Sequence, residues 1–342
     1  MKFATLAYLV PVLAISSAKP PCMDNIKQVS TIYQFKKGTW IENLAIRSNG
    51  KILVTLLSAP EVWQIDPVNP GPAELIYRFP QALSALGIAE VQPDVFAVAV
   101  GNITVETIAS TPGSYSAWLI NLSQQQQGKQ AKCVSKITDL PQAAFLNGVS
   151  VLSQKENVVL LADSAQGLIY QLNAQTGASK IWLDDPALKP NNSIAVKSGI
   201  NGLRVHEGYA YFTNTFSSPV LGRVQISSAG GPAGPVQTIV GQPPYETNIG
   251  DHADDFTFDS SGNVWLATNP SNSIVKIESG GRVSVEVGGV DDSTVAGVTA
   301  LAFGRTSRDR KALYATTNGG IAYPPPSGAV GGKVLAVNLD NL

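Results

Sequence analysis

Two stretches of the chain share one pattern of strands and turns. Residues 201–226 read NGLRVHEGYAYFTNTFSSPVLGRVQI, and residues 254–277 read DDFTFDSSGNVWLATNPSNSIVKI. Each begins with a short apolar strand, passes through a polar turn into a strand that ends in Thr-Asn, and closes with an alternating strand. The alternation has the two-residue period of a β-strand, and no segment has the period of a long amphipathic helix. The two stretches therefore predict a repeated all-β unit.

The same unit recurs along the rest of the chain. Residues 42–65 and 147–172 repeat its order, residues 297–337 carry it with longer insertions, and residues 85–122 carry a weaker copy. A period of about 50 residues with three or four strands per unit is typical of a β-propeller. We therefore predict an all-β, single-domain, six-bladed β-propeller whose blades start near Glu42, Ala85, Asn147, Asn201, Asp254 and Gly297.

The composition restricts the possible partners. The chain has 342 residues, 24 Lys and Arg against 25 Asp and Glu, and a net charge of −1. A protein that binds nucleic acid usually carries an excess of positive charge, and the balanced charge of this sequence predicts no nucleic-acid partner. Charged residues make up 14% of the chain and hydrophobic residues 44%, which excludes a disordered protein and suits small apolar or aromatic substrates.

The beginning of the sequence has the pattern of a signal peptide. Met1 and Lys2 precede an apolar run over residues 3–15, and Ser16-Ser17-Ala18 supplies small residues for cleavage. This pattern predicts a signal peptide over residues 1–18 and a propeller over 19–342. No later apolar run is long enough to span a bilayer. We therefore expect the protein in the secretory pathway, either secreted or in a secretory or vesicular lumen.

The two cysteines fit that compartment. Cys22 and Cys133 both follow the expected cleavage site, and in an oxidising compartment their simplest state is a disulfide, with two unpaired thiols as the alternative. Neither belongs to a Cys-x-x-Cys or Cys/His pattern, which excludes a thiolate metal centre. Sequons at Asn102, Asn121 and Asn191 predict glycosylation on surface loops.

The repeat itself points to a candidate site. The first strand of each blade lines the central channel, so residues at the starts of these strands meet at one mouth of the channel. Carboxylate and amide side chains need partners when they are buried, so their presence at equivalent starts is informative. The predicted set is Glu42, Asn43, Asn147, Asn201, Asp254 and Thr299.

The blade motifs resemble those of a known superfamily. NGL at 201–203, DDFTFD at 254–259 and GNVWLAT at 262–268 are similar to motifs of the six-bladed propellers of the regucalcin and gluconolactonase type. In that family a Glu, two Asn and an Asp hold one divalent metal at the channel mouth. The resemblance implies either no required cofactor or one Ca²⁺ or Mg²⁺, the cations that oxygen ligands suit, on Glu42, Asn147, Asn201 and Asp254.

The sequence departs from that family at one informative place. The family's Asn-Asp-Gly of the third blade is Asn-Gly-Val at 147–149, and its Pro-Asp-Gly of the fifth blade is Ala-Asp-Asp at 253–255. The acidic neighbour in blade three is therefore missing, which argues against sugar-lactone hydrolysis.

Other segments of the sequence are similar to those of a fungal secreted branch of the superfamily. TWIENLAIRSNGKILVT at 39–55 and FGRTSRDRKALYATTNGG at 303–320 carry this resemblance. The branch includes hetero-Diels–Alderases of tropolone–sesquiterpenoid biosynthesis. Such enzymes promote loss of water from a hydroxymethyl tropolone or phenol and addition of the resulting quinone methide to a humulene-type alkene.

For that reaction the sequence predicts both proton-transfer groups and apolar walls. Asp254, His252 and Asn201 are the predicted catalytic residues, because a carboxyl and an imidazole can move protons during dehydration. A pericyclic step needs apolar walls that hold both reactants face to face. The predicted substrate contacts are Trp40, Asn43, Phe145, Tyr245, Thr299 and Tyr323.

Two other functions stay open at this point. One is a metal-dependent lactonase or related hydrolase, and the other is a non-catalytic propeller that binds a ligand. The absence of a Gly-x-Ser-x-Gly elbow from the sequence argues against a serine hydrolase. The oligomeric state is not predicted.

Overall fold

The computed structural model describes residues 28–69, 71–123, 133–193, 196–241, 252–269 and 271–339. Six four-stranded sheets and one short hairpin account for all strands of these ranges. The helical content of the same ranges is a single 3₁₀ turn at Pro186–Leu188. None of the described helical structure has the length and hydrophobicity needed to cross a membrane. The prediction of an all-β, six-bladed propeller is confirmed.

Each blade is a sheet of antiparallel strands that follow one another from the channel outward. Blade one contains β2 (Ile41–Ile46), β3 (Ile52–Leu56), β4 (Glu61–Ile65) and β5 (Glu74–Arg78). Blade two contains β6 (Ser84–Gln92), β7 (Val95–Gly101), β10 (Tyr115–Asn121) and β11 (Cys133–Leu140), and the hairpin of β8 (Ile103–Thr104) and β9 (Ala109–Ser110) extends from it. Blade three contains β12 (Leu146–Ser153), β13 (Val158–Asp163), β14 (Leu168–Asn173) and β15 (Ser179–Asp184).

The second half of the ring repeats this order. Blade four contains β16 (Ile200–His206), β17 (Tyr209–Asn214), β18 (Leu221–Ile226) and β19 (Pro232–Val240). Blade five contains β20 (Ala253–Phe258), β21 (Val264–Thr268), β22 (Ser273–Ile277) and β23 (Val283–Gly288). Blade six contains β24 (Val298–Phe303), β25 (Ala312–Thr317), β26 (Lys333–Asn338) and, as its outer strand, β1 (Val29–Gln34).

Strand β1 closes the ring. It precedes the first repeat in sequence but pairs antiparallel with β26, with Val29 opposite Val337 and Gln34 opposite Lys333. Main-chain hydrogen bonds thus join the two ends of the described chain, a feature that the repeats alone did not predict.

The core consists of apolar layers between neighbouring blades. All five residues of β3 and of β21 are buried, because sheets cover these strands on both faces. Large side chains such as Trp265, Phe212 and Phe96 are completely buried in these layers. Packing of this kind holds the six inner strands at fixed distances from the channel axis.

The inner strand of every blade is irregular near its start. The register against the second strand shifts between Ile41 and Asn43, Ala85 and Ile88, Leu146 and Val149, Ile200 and Leu203, Ala253 and Phe256, and Val298 and Ala300. A β-bulge places extra residues on one strand and changes the direction of their side chains. Glu42, Asn147, Asn201 and Asp254 all lie inside these bulges.

Glycines let the bulges of neighbouring blades touch. A Cβ atom on Gly87 would lie 2.2 Å from the Asn147 carbonyl oxygen, and one on Gly148 would lie 2.5 Å from the Asn201 carbonyl oxygen. In both places the atom that would clash with the Cβ belongs to the backbone of the neighbouring blade, which has little freedom to move. Glycine at these two positions is therefore required by the close approach of blades two, three and four.

Candidate active site

The inner-strand bulges open into a pocket at the channel mouth. Together with its open entrance the pocket has about 590 Å³ of space free of atoms. Its polar lining residues are Glu42, Asn147, Ser198, Asn201, Thr215, Asp254 and Asn269. Its apolar lining residues are Trp40, Leu57, Ile108, Phe145, Val196, Phe216, Ala322 and Tyr323. Of the predicted site residues, Trp40, Glu42, Phe145, Asn147, Asn201, Asp254 and Tyr323 are thus brought together.

Glu42 is a buried carboxyl group held by one tryptophan. The Trp40 indole Nε1 donates a hydrogen bond of 2.8 Å to Glu42 Oε2, and Glu42 is 5% exposed. Burial raises the pKa of Glu42 to about 7, and the charge of Asp255 adds to the rise, whereas hydrogen bonds from Trp40 and Asn147 oppose it. Loss of solvation outweighs the hydrogen bonds, so Glu42 holds a proton far more readily than an exposed glutamate.

Asp254 is the second buried carboxyl group of the pocket. Burial raises its pKa well above the usual value, and the charges of Glu42 and Asp255 raise it further against hydrogen bonds from Asn201 and Asn269. Two carboxyl groups that interact in this way resist being ionised together. The pair therefore takes up a proton more readily than two exposed carboxyl groups, and ionisation of both groups at once is disfavoured.

The neighbouring Asp255 has a different role. Its Oδ2 accepts hydrogen bonds from Arg204 Nη2 at 2.6 Å and from Asn43 Nδ2 at 2.8 Å. This network joins blades one, four and five and leaves Asp255 charge-compensated. Asn43 is thus bonded to protein, and the Thr299 hydroxyl likewise donates to the Ile41 carbonyl oxygen at 2.9 Å. Both lie outside the pocket lining, and their contact with substrate stays a prediction.

Asn201 links the carboxyl groups to two hydroxyl groups. Its Nδ2 donates to Thr215 Oγ1 at 2.9 Å, and Ser198 Oγ lies 3.2 Å from the same Thr215 oxygen. Asn201 Oδ1 is buried and has no hydrogen-bond partner among the described residues. One oxygen atom beside the carboxyl pair is therefore unsatisfied, although buried polar groups are nearly always paired.

This unsatisfied oxygen tests the predicted metal site. Glu42, Asn147, Asn201 and Asp254 line one pocket, and Asn201 Oδ1 is the kind of oxygen that a hard divalent cation binds. The four residues therefore fit Ca²⁺ or Mg²⁺ in donor type. In the described ranges there is no cluster of three or more His, Cys, Asp and Glu side chains arranged for a metal. Amide oxygen atoms must therefore supply part of the ligands of any metal bound there.

Aromatic rings form one rim of the pocket. The His252 ring lies behind the lining, 4.9 Å from the Phe216 ring in an edge-to-face contact and 6.2 Å from the Tyr323 ring, centroid to centroid. Tyr323 is 52% exposed at the pocket. His252 thus touches the rim and not the pocket interior, and its role in proton transfer stays a prediction. Tyr245 lies outside the described residues.

Several lining residues were missed by the sequence analysis. Leu57, Thr215, Phe216 and Asn269 each follow the second strand of a blade. The second strand runs antiparallel to the first, so it ends at the mouth where the first begins. The repeated Thr-Asn at the ends of these strands was the available signal for this half of the site.

The remaining predicted positions lie away from the pocket. Cys133 is exposed at the start of β11, while Cys22 and residues 1–18 lie outside the described residues, so the disulfide and the signal peptide stay predictions. Asn121 and Asn191 accept backbone hydrogen bonds from Ser123 and Ser193 within local turns. Asn102 accepts one from the Leu83 amide, and glycosylation at all three stays a prediction.

Solved structures with the same architecture support the assignment of the fold. A luciferin-regenerating enzyme superposes with a TM-score of 0.65 and 14% identity, over 91% of this chain and 95% of that one. The calcium-binding protein regucalcin from Agrobacterium tumefaciens superposes with a TM-score of 0.62 and 13% identity, over 90% and 92% of the two chains. Identity this low shows the fold alone.

Sequence relatives are more specific. No protein-family model matches the chain. A protein of a Phoma species, provisionally named a hetero-Diels-Alderase, is 30% identical in an alignment of 312 positions that covers 84% of this chain and 86% of that protein. A protein of Sarocladium schorii with the same provisional name is 28% identical in an alignment of 374 positions, gaps included, that covers 95% of this chain and 89% of that one. By the extent and identity of these matches, the chain belongs to the hetero-Diels-Alderase family.

Proposed function

We propose that the protein catalyses a hetero-Diels–Alder cycloaddition in secondary-metabolite biosynthesis. The reactants are a quinone methide, formed from a hydroxymethyl tropolone or phenol, and a humulene-type alkene. The names of the two relatives support the reaction type. The observation that carries the proposal is the combination of a proton-bearing carboxyl pair, Glu42 and Asp254, with aromatic and aliphatic walls in a single pocket.

The carboxyl pair suits the dehydration that forms the quinone methide. The protonated Asp254 gives its proton to the hydroxyl group that leaves as water, while the carboxylate of Glu42 accepts the proton of the ring hydroxyl group. The ring oxygen becomes a carbonyl and the CH₂ group becomes an exocyclic alkene. The pair ends with the same number of protons that it had at the start, moved from Asp254 to Glu42.

The apolar walls suit the second step. The cycloaddition forms one carbon–carbon and one carbon–oxygen bond and transfers no proton. An enzyme accelerates such a step mainly by holding diene and alkene in reacting geometry, which removes part of the entropic barrier. Trp40, Phe145 and Tyr323 offer flat surfaces for that purpose, and Leu57 and Ile108 offer apolar surface for the alkene.

The donor set at the mouth also favours a second candidate, a metal-dependent lactonase. The unsatisfied Asn201 Oδ1 beside Glu42, Asn147 and Asp254 is the observation that favours it. Calcium or magnesium bound there would supply a Lewis acid that polarises a substrate oxygen. The contribution of the chain in that case is to hold the substrate against the same aromatic walls.

One experiment separates the two candidates. The protein is incubated with a quinone-methide precursor and humulene, and in parallel with simple lactones, with and without a chelator. We expect faster cycloadduct formation and a changed stereoisomer ratio relative to buffer. Asp254→Asn should reduce the rate at least tenfold. Asp139→Asn, an exposed carboxylate paired with Lys136, is the matched control and keeps the activity. A cycloadduct rate and ratio equal to buffer, together with chelator-sensitive lactone hydrolysis, would establish the lactonase instead.

A further inference from the structure

Blade four contributes a pair of hydroxyl groups to the pocket wall. Ser198 lies just before β16 and Thr215 directly after β17, so both flank the mouth end of the same hairpin. They are 6% and 8% exposed, and both line the pocket. The Thr215 amide donates to the Gly199 carbonyl oxygen at 3.0 Å, which fixes the backbone between them.

The hydrogen bonds of this pair leave one proton over. Thr215 Oγ1 accepts from Asn201 Nδ2 at 2.9 Å and from Ser198 Oγ at 3.2 Å. Two hydroxyl groups carry two protons, and the Ser198 proton is used in this bond, which leaves the proton of Thr215. The second proton has no acceptor within the part of the chain that the structure describes. The pair is therefore a donor that faces the pocket.

The residues around the hydroxyl pair indicate which kind of ligand group it can bind. None of the described lining residues is Lys or Arg, whereas Glu42 and Asp254 are present, so the pocket disfavours an anionic ligand. Val196 and Phe216 are apolar neighbours of the pair in the sequence and in the lining. A neutral donor in such a place is satisfied best by a neutral acceptor, such as a conjugated carbonyl oxygen, because a buried donor left unpaired is costly.

We propose that the Ser198–Thr215 hydroxyl pair donates a hydrogen bond to the carbonyl oxygen of a conjugated ring ketone bound in the pocket, and so fixes the orientation of that ring relative to the carboxyl pair. The ring ketone as ligand class rests on the proposed function. The bond withdraws electron density from the carbonyl oxygen without moving a proton. Preorganised donors of this kind stabilise the charge that develops on oxygen in a transition state.

Asn201 sets the direction of the pair. By donating to Thr215 Oγ1, it occupies one lone pair of that oxygen, and it also hydrogen-bonds to Asp254. The amide thus separates the acid part of the pocket from the hydroxyl part. A ligand with one carbonyl oxygen and one departing hydroxyl group can engage both parts at once.

Binding of two matched probes tests the inference. Tropone is a conjugated seven-membered ring ketone, and cycloheptatriene is a similar ring without the oxygen. We expect the wild-type protein to bind tropone at least tenfold more tightly and to shift the tropone carbonyl stretch to lower frequency. The double variant Ser198→Ala/Thr215→Val should lose both the preference and the shift. Each single variant should keep part of them, because the remaining hydroxyl group then has a free proton.

A second buried hydroxyl pair provides the control. Thr268 Oγ1 and Ser273 Oγ lie 2.7 Å apart in blade five, outside the pocket lining. Thr268→Val and Ser273→Ala make the same chemical changes and should leave tropone affinity and the carbonyl shift unchanged. Thermal unfolding of all variants identifies any loss of affinity that follows from lost structure.

The results also separate this inference from the proposed function. We expect the double variant to form cycloadduct about tenfold more slowly than the wild type. If it keeps the wild-type rate and tropone affinity, the hydroxyl pair is not the donor, and the cycloaddition stands without it. If the tropone preference depends on the pair but no cycloadduct forms with the wild type, the donor site stands and the proposed function is wrong. A wild-type protein with no preference for tropone overturns the inference.

Discussion

Glu42 illustrates how two opposing effects act on one side chain. The hydrogen bond from Trp40 stabilises the carboxylate form, but removal from water disfavours that form more strongly, and the pKa rises to about 7. A glutamate with such a pKa can accept and return a proton at physiological pH. This unfavourable burial lies in the pocket where the proposed dehydration needs proton transfer.

The raised pKa has a measurable consequence for stability. Between pH 4.5 and about 7 the folded protein holds a proton on Glu42 that the unfolded chain has released. Unfolding therefore releases a proton in this window, and the free energy of unfolding falls as the pH rises, by an amount on the order of 3 kcal/mol. Urea denaturation at several pH values measures it. Glu42→Gln should reduce the slope, and the part that remains belongs to Asp254, whose pKa is also raised by burial.

An exposed carboxylate serves as the control for this titration. The ion pair with Arg282 lowers the pKa of Glu278, so this group is ionised in both states above pH 5. Glu278→Gln should leave the slope between pH 5 and 7 unchanged. Stability that rises with pH in this range, or a slope that Glu42→Gln does not change, would contradict a raised pKa at Glu42.

At the residue scale the repeat predicted part of the site for a physical reason. Glu42, Asn147, Asn201 and Asp254 occupy the same place in four repeats, so the rotational arrangement of the blades brings them together. Ser198 lies in a loop that differs in length and sequence between blades. No periodicity marks such positions, and only the folded chain shows that they face the pocket.

At the scale of the strand, threonine residues support the inner bulges. A bulge leaves an amide without its ladder partner, and in blade four Thr213 Oγ1 accepts the Gly202 amide at 2.8 Å and donates to the Asp254 carbonyl oxygen at 2.7 Å. In blade one Thr55 Oγ1 accepts the Asn43 amide at 3.1 Å. In blade four, the threonine of the repeated Thr-Asn pair therefore supplies the hydrogen bonds that the bulge removes from the strand pairing.

Removal of one such hydroxyl group should disturb both stability and the site. Thr213→Val leaves the buried Gly202 amide unpaired and frees the backbone at Asp254. We expect a loss of about 1–3 kcal/mol in the free energy of unfolding and slower cycloadduct formation. Thr107→Val, at an exposed loop position, is the matched control and should change neither. Equal stability of the two variants would exclude the proposed bulge support.

Contact between neighbouring bulges can be tested with a single methyl group. In Gly148→Ala the new Cβ would meet the Asn201 carbonyl oxygen at 2.5 Å and the Leu203 amide nitrogen at 2.9 Å. We expect a loss of about 1–3 kcal/mol, because backbone on a packed strand cannot move aside cheaply. In Gly280→Ala no atom lies within 4 Å of the new Cβ. This control variant should therefore leave the free energy of unfolding unchanged. A neutral Gly148→Ala would show that the blades can separate at the bulge.

Element bounds were easier to predict than element contacts. The expected blade starts at Glu42, Asn147, Asn201 and Asp254 each lie one residue inside an inner strand, because strand alternation and turn residues are local signals. The bulges were not predicted, since they depend on how two blades fit against each other. The pairing of β1 with β26 was missed because it joins segments about 300 residues apart, which no local signal connects.

At the scale of the whole molecule, β1 should contribute more to stability than its length suggests. A chain that begins at residue 36 lacks β1 and leaves the edge of β26 unpaired, whereas a chain that begins at residue 28 keeps the complete ring. We expect the shorter chain to unfold about 10 °C or more below the longer one. Both chains lack Cys22, so the comparison is independent of any disulfide. Equal unfolding temperatures would mean that the ring does not need this strand.

The expected Cys22–Cys133 disulfide would add a second closure. Cys133 is the first residue of β11, the outer strand of blade two. A bridge from there to Cys22 closes a loop of about 110 residues, worth about 4–5 kcal/mol if it acts through the entropy of the unfolded chain. Peptide mapping of the secreted protein without reduction should find the two peptides linked. Labelling of both thiols in the native protein would show that they are unpaired.

The pairing of β1 with β26 also determines when the molecule can be finished during synthesis. Val29 and its partner Val337 are about 300 residues apart, so a ribosome that adds roughly 5–20 residues per second makes the second strand about 15–60 s after the first. During that interval the first strand emerges with both edges free, while blades one to five can already form. The ring closes only when the last strand arrives, so it cannot be complete before residues 333–338 have left the ribosome.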